Sequence, residues 1–338
     1  MITLGLIGYG YWGPNLFRNF QKLENCKIDY VMDSDFTKLN ELKKKYPKLH
    51  VSSSLNELLD NSDLDAVIIS TPVSTHYSIA DEALKKGKHV LIEKPMTDSV
   101  ESSKKLIQLA NKNNLTLMVD HTYLYTGSIQ KIKKIITDKQ IGSINYIDST
   151  RTNLGLFQPD IDVLWDLAPH DISICNYLMD ELPMSVQAIG KSHTKNYGND
   201  VAYLILHYAS NKIAHFNCSW ISPIKIRQLI IGGTEKMIVF NDIKENQKIS
   251  LHDKNFKEVF SDSEQKSVIE YNLGTDSKVT YDNTEALESL ANDFINSILN
   301  NSKPLSDYNL GLNVVRILEA SQKSINNENK IISINYDY

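Results

Sequence analysis

Two hydrophobic periods alternate along the first 120 residues. Short apolar runs predict buried strands at Ile2 to Ile7, Ile28 to Met32, Ala66 to Ser70, His89 to Ile92 and Leu115 to Val119. Helical spacing between them predicts helices over Trp12 to Phe20, Asp35 to Tyr46, Ser74 to Lys86 and Val100 to Asn111. In the third of these, Ile79, Ala80, Ala83 and Leu84 share one face, and Gly87 follows where a left-handed residue can end a helix. Strand and helix alternating over short links predict a parallel, doubly wound α/β sheet.

The pattern changes after about residue 121. Helical spacing returns at Ser128 to Thr137 and Leu164 to Leu178. From Ser185 to Leu251 period-two runs dominate, as at Val201 to Tyr208, Ile213 to Trp220, Gln228 to Ile231 and Met237 to Phe240. Ser210-Asn211 and Gly232-Gly233 read as turns between them. Residues 253–283 are polar and weakly patterned, which predicts a long loop. Helices are expected again over Thr284 to Leu299 and Asn309 to Ser324. This half predicts an α+β domain with an open, mostly antiparallel sheet and helices on one face. The division is a domain at 1–120 and a second at 121–338. Ala202, Leu204, Leu206 and Tyr208 alternate onto one face, and helices cannot cover both sides of such a sheet. A homodimer or homotetramer through these sheets is therefore expected.

Composition narrows the classes. A chain of 338 residues suits about two domains of roughly 150 residues. Its 36 Lys+Arg against 41 Asp+Glu, net charge −5, argue against a nucleic-acid partner bound through a broadly basic surface. Apolar runs such as Ala66 to Ile69 fall far short of the ~18 residues of a membrane span. The first strand runs directly into a glycine motif and reads as a buried strand rather than a signal peptide. Cys26, Cys175 and Cys218 are odd in number and widely spaced, so reduced, buried thiols and a cytoplasmic location are expected rather than disulfides or a zinc site.

The glycine motif is Gly8-Tyr9-Gly10-Tyr11-Trp12-Gly13, in the context that gives G-x-G-x-x-G its meaning: after a strand and opening a helix. Gly8 serves the tight turn, Gly10 the approach of backbone to a pyrophosphate, and Gly13 close helix–strand packing, with the helix N-terminus facing the phosphates. Asp33 ends the second strand, where a carboxylate accepts from both ribose hydroxyls and repels a 2′-phosphate. This predicts NAD rather than NADP as cofactor.

Two further groups carry candidate chemistry. Glu93-Lys94-Pro95 ends a predicted parallel strand, at the edge where ligands of open α/β sheets bind. His170 follows Asp166 by four residues on a predicted helix, so the carboxylate can orient or polarise the imidazole. Taken alone, the pair equally suits a helix-terminal acid beside a packed histidine. No third or fourth ligand is spaced to make it a metal site.

Gly8 to Gly13, Thr71-Pro72-x-x-x-His76, Glu93-Lys94-Pro95 and Asp166-x-x-x-His170 together resemble the Gfo/Idh/MocA oxidoreductases, over nearly the whole chain. The resemblance implies an N-terminal Rossmann domain, a C-terminal α/β domain and a nicotinamide cofactor. It implies that Gly8, Gly10, Tyr11, Trp12, Gly13, Asp33, Thr71, Pro72, His76, Glu93 and Lys94 bind that cofactor, and that Lys94, Asp166 and His170 act on a substrate hydroxyl. Many members have Thr-Pro-Asn where this chain has Val73, so no polar side-chain contact is expected there. A narrower likeness lies in His121-Thr122-Tyr123-Leu124-Tyr125, Arg151-Thr152-Asn153-Leu154-Gly155 and Trp165 to Asp171. It is similar to the branch that oxidises the 3-hydroxyl of nucleotide-linked N-acetylhexosamines such as UDP-N-acetylglucosamine. On that likeness Tyr123, Tyr125, Arg151 and Asn153, with Lys94 and His170, line the substrate. Arg151 is the expected diphosphate reader, because its planar fork matches phosphate oxygens. Dehydrogenation of a free sugar or polyol such as an inositol, and a non-catalytic cofactor-binding regulator, stand as alternatives.

Overall fold

The computed structural model describes residues 1–155, 157–261 and 266–337. The chain divides into two compact units. The first begins β1 (Ile2–Ile7), α1 (Gly13–Phe20), β2 (Cys26–Met32), α2 (Phe36–Lys45), β3 (His50–Ser52), α3 (Leu55–Leu59), β4 (Ala66–Ile69), α4 (Val73–Lys85), β5 (His89–Glu93), α5 (Val100–Lys112) and β6 (Leu117–Asp120), and closes with a 3-10 turn over Thr122–Tyr125. The second runs α6 (Gly127–Thr137), β7 (Ile144–Leu154), α7 (Val163–Leu178), β8 (Ser185–Lys191), β9 (Val201–His207), β10 (Ile213–Ser219), β11 (Ile221–Gly233), β12 (Met237–Asn241), β13 (Ile249–Ser261) and β14 (Lys266–Val279). Helix α8 (Ala286–Leu299) belongs to the first unit, α9 (Tyr308–Asn326) is shared, and β15 (Ile332–Ser333) belongs to the second. A linear division at residue 120 does not anticipate this return of Thr284–Arg316 to the first unit.

The first unit's sheet is all parallel, in the order β3-β2-β1-β4-β5-β6. Strands buried on both faces need continuous apolar runs, and Ala66, Val67, Ile68 and Ile69 are each at most 1% exposed. The crossover at β1 between β2 and β4 is the switch point where open α/β sheets bind ligands at strand C-termini. Glu93 and Asp120, last residues of β5 and β6, sit on that edge. Glu285, at the start of α8, holds α1 through Arg18, Asn19 and Lys22, while Phe20 meets Phe294 edge-on.

The second unit is one nine-stranded sheet, β14-β13-β12-β11-β7-β10-β9-β8-β15, antiparallel except for the β7–β10 pair. The face bearing Ala202, Leu204 and Leu206 lies in the core, on the side packed by α7. The outward face therefore carries their alternates, with Tyr203, Ile189 and Ile213 exposed. The predicted loop at 253–283 is corrected: its described part is mostly the β13–β14 hairpin, paired from Ile249↔Val279 to Ser261↔Lys266 with a register shift between His252 and Lys254. Residues 262–265 of that stretch lie outside the described residues. Both faces of the hairpin meet solvent over most of their length, so no buried face imposed an alternation to read.

Candidate active site

In the first unit the glycine loop is built as the sequence requires. Gly8 has φ +94°, and a Cβ there would meet the Ser70 carbonyl at 2.4 Å. A Cβ on Gly13 would meet the Gly8 carbonyl at 2.5 Å. A Cβ on Gly10 would meet nothing within 4 Å, so its space is open. Helix α1 follows with no side-chain cap and no acid in its first turn, leaving its N-terminal N–H groups and positive end for an anion. Asp33, at the end of β2, accepts from Tyr9 N–H through Oδ2 (2.5 Å) and from Asp35 N–H through Oδ1 (2.8 Å). It thus fixes the loop while keeping lone pairs for ribose hydroxyls. These residues fit NAD. Tyr11 is exposed and stacks on Trp12 (6.5 Å between ring centroids).

Thr71, Pro72 and His76 act through one another. His76 is fully buried, with Nδ1 3.0 Å from the Pro95 carbonyl and Nε2 2.9 Å from the Thr71 carbonyl. Its expected place in direct cofactor binding is corrected accordingly: both ring nitrogens face main-chain carbonyls, so it ties the turn before α4 to the Glu-Lys-Pro turn. Val73 is core, as its apolar side chain required. Tyr125 is corrected too. Its hydroxyl donates to Asp293 (2.6 Å) and accepts from Ser306 N–H (3.1 Å), and burial beside Asp293 raises its pKa. It braces the 3-10 turn against α8 and has no hydroxyl to offer a sugar. Tyr123, half-buried in the same turn, remains a candidate.

In the second unit β7 and α7 bring the other candidates together. Asp162 caps α7 by accepting from Trp165 N–H (3.2 Å) and is held by the Asn199 amide (2.7 Å). The cap sets the first turn of α7, with Asp166 on it and His170 one turn later. The indole N–H of Trp220 donates to Asp166 Oδ2 at 3.0 Å. Phe157 packs on that indole, ring centroids 5.2 Å apart. Trp220 lies 54 residues from Asp166, and only the fold reveals the contact.

Arg151 is the main correction. Its Nε and Nη2 donate to the two oxygens of Asp171 at 2.8 and 2.7 Å, and both side chains are about one-twentieth exposed. The fork expected to read a diphosphate is spent on a buried carboxylate. It fastens β7 to α7 directly beside His170. Asn153, two residues along β7 and half-buried, stays a substrate candidate. Among the described residues, no group of three His, Cys, Asp or Glu side chains is placed to hold a metal ion, and no helix is long and apolar enough to cross a membrane. All three cysteines are free and buried.

Comparison with known proteins places the chain. Residues 2–121 match the NAD-binding Rossmann fold of the Gfo/Idh/MocA oxidoreductase family, and residues 129–239 match that family's C-terminal domain. Among curated relatives, UDP-N-acetylglucosamine 3-dehydrogenase of Acidithiobacillus ferrooxidans is 31% identical over 189 residues, 55% of this chain and 57% of that one. The scyllo-inositol 2-dehydrogenase (NADP(+)) of Bacillus subtilis is 28% identical over 169 residues, 48% of this chain and 44% of that one. The aligned stretch therefore spans less than two thirds of either relative. A solved structure of the Acidithiobacillus ferrooxidans UDP-N-acetylglucosamine 3-dehydrogenase shares the fold, with TM-score 0.78 at 24% identity over 95% of this chain and 96% of that one. Glycine loop, Glu-Lys-Pro turn, Asp-x-x-x-His helix and both domain patterns agree: the chain belongs to the Gfo/Idh/MocA oxidoreductases, and its N-terminal unit is their NAD-binding Rossmann fold.

Proposed function

We propose that the protein is an NAD-dependent sugar dehydrogenase that oxidises the ring 3-hydroxyl of a nucleotide-linked N-acetylhexosamine, UDP-N-acetylglucosamine foremost, to the 3-keto sugar. The observation that carries the substrate is the 31% identity to UDP-N-acetylglucosamine 3-dehydrogenase. Bound NAD supplies the acceptor for the hydride leaving the carbinol carbon. His170 takes the hydroxyl proton as general base. Asp166, held by Trp220, favours the imidazolium that results. Lys94 donates to the same oxygen and stabilises its developing negative charge. Tyr123 and Asn153 contact the sugar. The reading includes a homo-oligomer, through the outward sheet face that carries Tyr203, Ile189 and Ile213.

One observation favours a second reading, oxidation of a free polyol. With the Arg151 fork engaged by Asp171, the residue nominated for a diphosphate has another task, and an inositol dehydrogenase is also a relative. The test is NADH formation from UDP-N-acetylglucosamine, free N-acetylglucosamine and scyllo-inositol. Lys94→Ala and His170→Ala should each lower turnover by about 10²-fold or more, the usual range for a positioned acid–base group, with NAD binding kept. Equal turnover of the free and UDP-linked sugar rejects the nucleotide-sugar reading. Near-normal turnover in either variant rejects the site.

A further inference from the structure

β5 and β6 lie side by side with Glu93 opposite Asp120. Glu93 Oε1 and Asp120 Oδ2 are both sealed from solvent, and neither has a hydrogen-bond partner other than what the two carboxyls can offer each other. Two carboxylates only accept, so between them they satisfy neither oxygen. A single proton makes one of them a donor and satisfies both. The remaining oxygens tie neighbouring segments together. Glu93 Oε2 accepts Lys94 N–H (3.3 Å), Asp120 Oδ1 accepts the Thr122 hydroxyl, and the Trp12 side chain of the glycine loop is turned to the Asp120 carboxyl.

The groups facing the pair leave the proton no rival holder. Burial, then the charge of Asp120, raises the Glu93 carboxyl well above its ordinary range, with Lys94 opposing. Burial raises Asp120 as well, against Thr122, Glu93 and Trp12. His121, next in the chain, is 1% exposed with both ring nitrogens unpartnered, and burial beside Lys94 pushes it down to about 3, so it stays neutral. Tyr125 also feels Asp120 and is held neutral by burial and Asp293.

We propose that Asp120 is a positioning residue of the NAD site: it and Glu93 share one proton, and the protonated pair latches the glycine loop, at Trp12, to the turn that presents Lys94. The pair keeps its proton to a higher pH than an ordinary carboxyl does and loses it as pH rises further. Two buried anions then face each other across adjacent strands, and the latch opens. This inference rests on the NAD site alone and not on the identity of the sugar, so its readouts are binding and spectroscopy, and failure of the substrate reading leaves them intact.

The test is the NAD⁺ dissociation constant of the full chain, measured by calorimetry from about pH 6 to about pH 9. Linkage to one required proton makes it rise toward about tenfold per pH unit above the pair's midpoint. In Asp120→Asn the amide N–H replaces the shared proton permanently, so the alkaline rise should flatten. Glu93→Gln, the mirror change, should flatten it too and covers the case where the first variant misfolds. The infrared spectrum of the wild type at neutral pH should show a protonated-carboxyl C=O stretch that Asp120→Asn lacks. A wild-type constant that stays flat, a rise that persists in both variants, or an absent carboxyl band overturns the proposal.

Discussion

Asp171→Asn isolates what the buried Arg151 pair contributes. The substitution keeps shape and one acceptor but removes the charge that two short bonds, 2.7 and 2.8 Å, direct at the guanidinium. Arg151 cannot escape by losing its proton, because guanidinium stays charged at any working pH. Both side chains are about one-twentieth exposed, so water cannot take over the lost partner's role. Breaking such a pair from one side costs about 3–5 kcal/mol. At roughly 2–4 °C per kcal/mol for a unit of this size, the unfolding midpoint should drop by about 10 °C. Thermal unfolding followed by near-ultraviolet circular dichroism reads this directly. The double variant Arg151→Met with Asp171→Leu, which removes both charges, should recover much of the loss, since well-packed apolar replacements of buried pairs are often neutral. If Asp171→Asn stayed within about 1 kcal/mol of the wild type, the Asp171 pair would not be what holds the guanidinium, and its assignment as the fastening between β7 and α7 would fall.

Three other outcomes follow from the geometry. Asp33→Ser should narrow the NAD/NADP preference by about tenfold, or about 1.4 kcal/mol, measured as the ratio of dissociation constants; an unchanged ratio removes Asp33 from the ribose. Trp220→Phe keeps an aromatic ring against Phe157 but deletes the donor to Asp166, so turnover should fall by about tenfold with NAD affinity unchanged, whereas Trp220→Ala should also destabilise by about 3–5 kcal/mol; unaltered turnover in the Phe variant shows that Asp166 needs no such support. Arg18, then Asn19, opposed by burial but helped by Lys22, lower the Glu285 carboxyl from 4.5 to about 2, so its contribution to stability is complete above about pH 4.5 and lost as pH falls through about 2. Glu285→Gln should flatten that part of the melting-temperature profile, and identical acid slopes in the two proteins would show that the contacts are not formed in solution.

What could be read from the chain followed what was buried. Five of the first sheet's six strands were legible from their apolar runs, while β3, with no buried residue, and the short α3 were not; predicted and observed helices from α4 to α9 differ by at most a few residues at each end. The glycine loop, Asp33, Lys94 and the Asp166/His170 spacing could be nominated from the sequence because each is a local motif. Contacts between residues distant in sequence were not. Trp220 on Asp166, Asp171 on Arg151, Asp293 on Tyr125 and Asp120 opposite Glu93 each depend on which elements become neighbours. Two side chains nominated through the narrower likeness, Arg151 and Tyr125, proved to be engaged in the interior. A guanidinium fork or a phenol suits a buried carboxylate as well as it suits a substrate. β7, central to the second sheet, mixes Asp148, Arg151 and Asn153 into its run and so hid its strand character.

The three glycines of the first loop answer to different pressures. A methyl group at Gly8 or Gly13 collides with main-chain carbonyls, so drift at those positions is removed with the misfolded chains. At Gly10 a methyl group meets only empty space, and nothing in the fold opposes it. Descendants altered there would still fold, accumulate and escape degradation while losing room for the pyrophosphate. Position 10 is thus where a single methyl group separates cofactor binding from folding: Gly10→Ala is expected to melt like the wild type and to bind NAD more weakly.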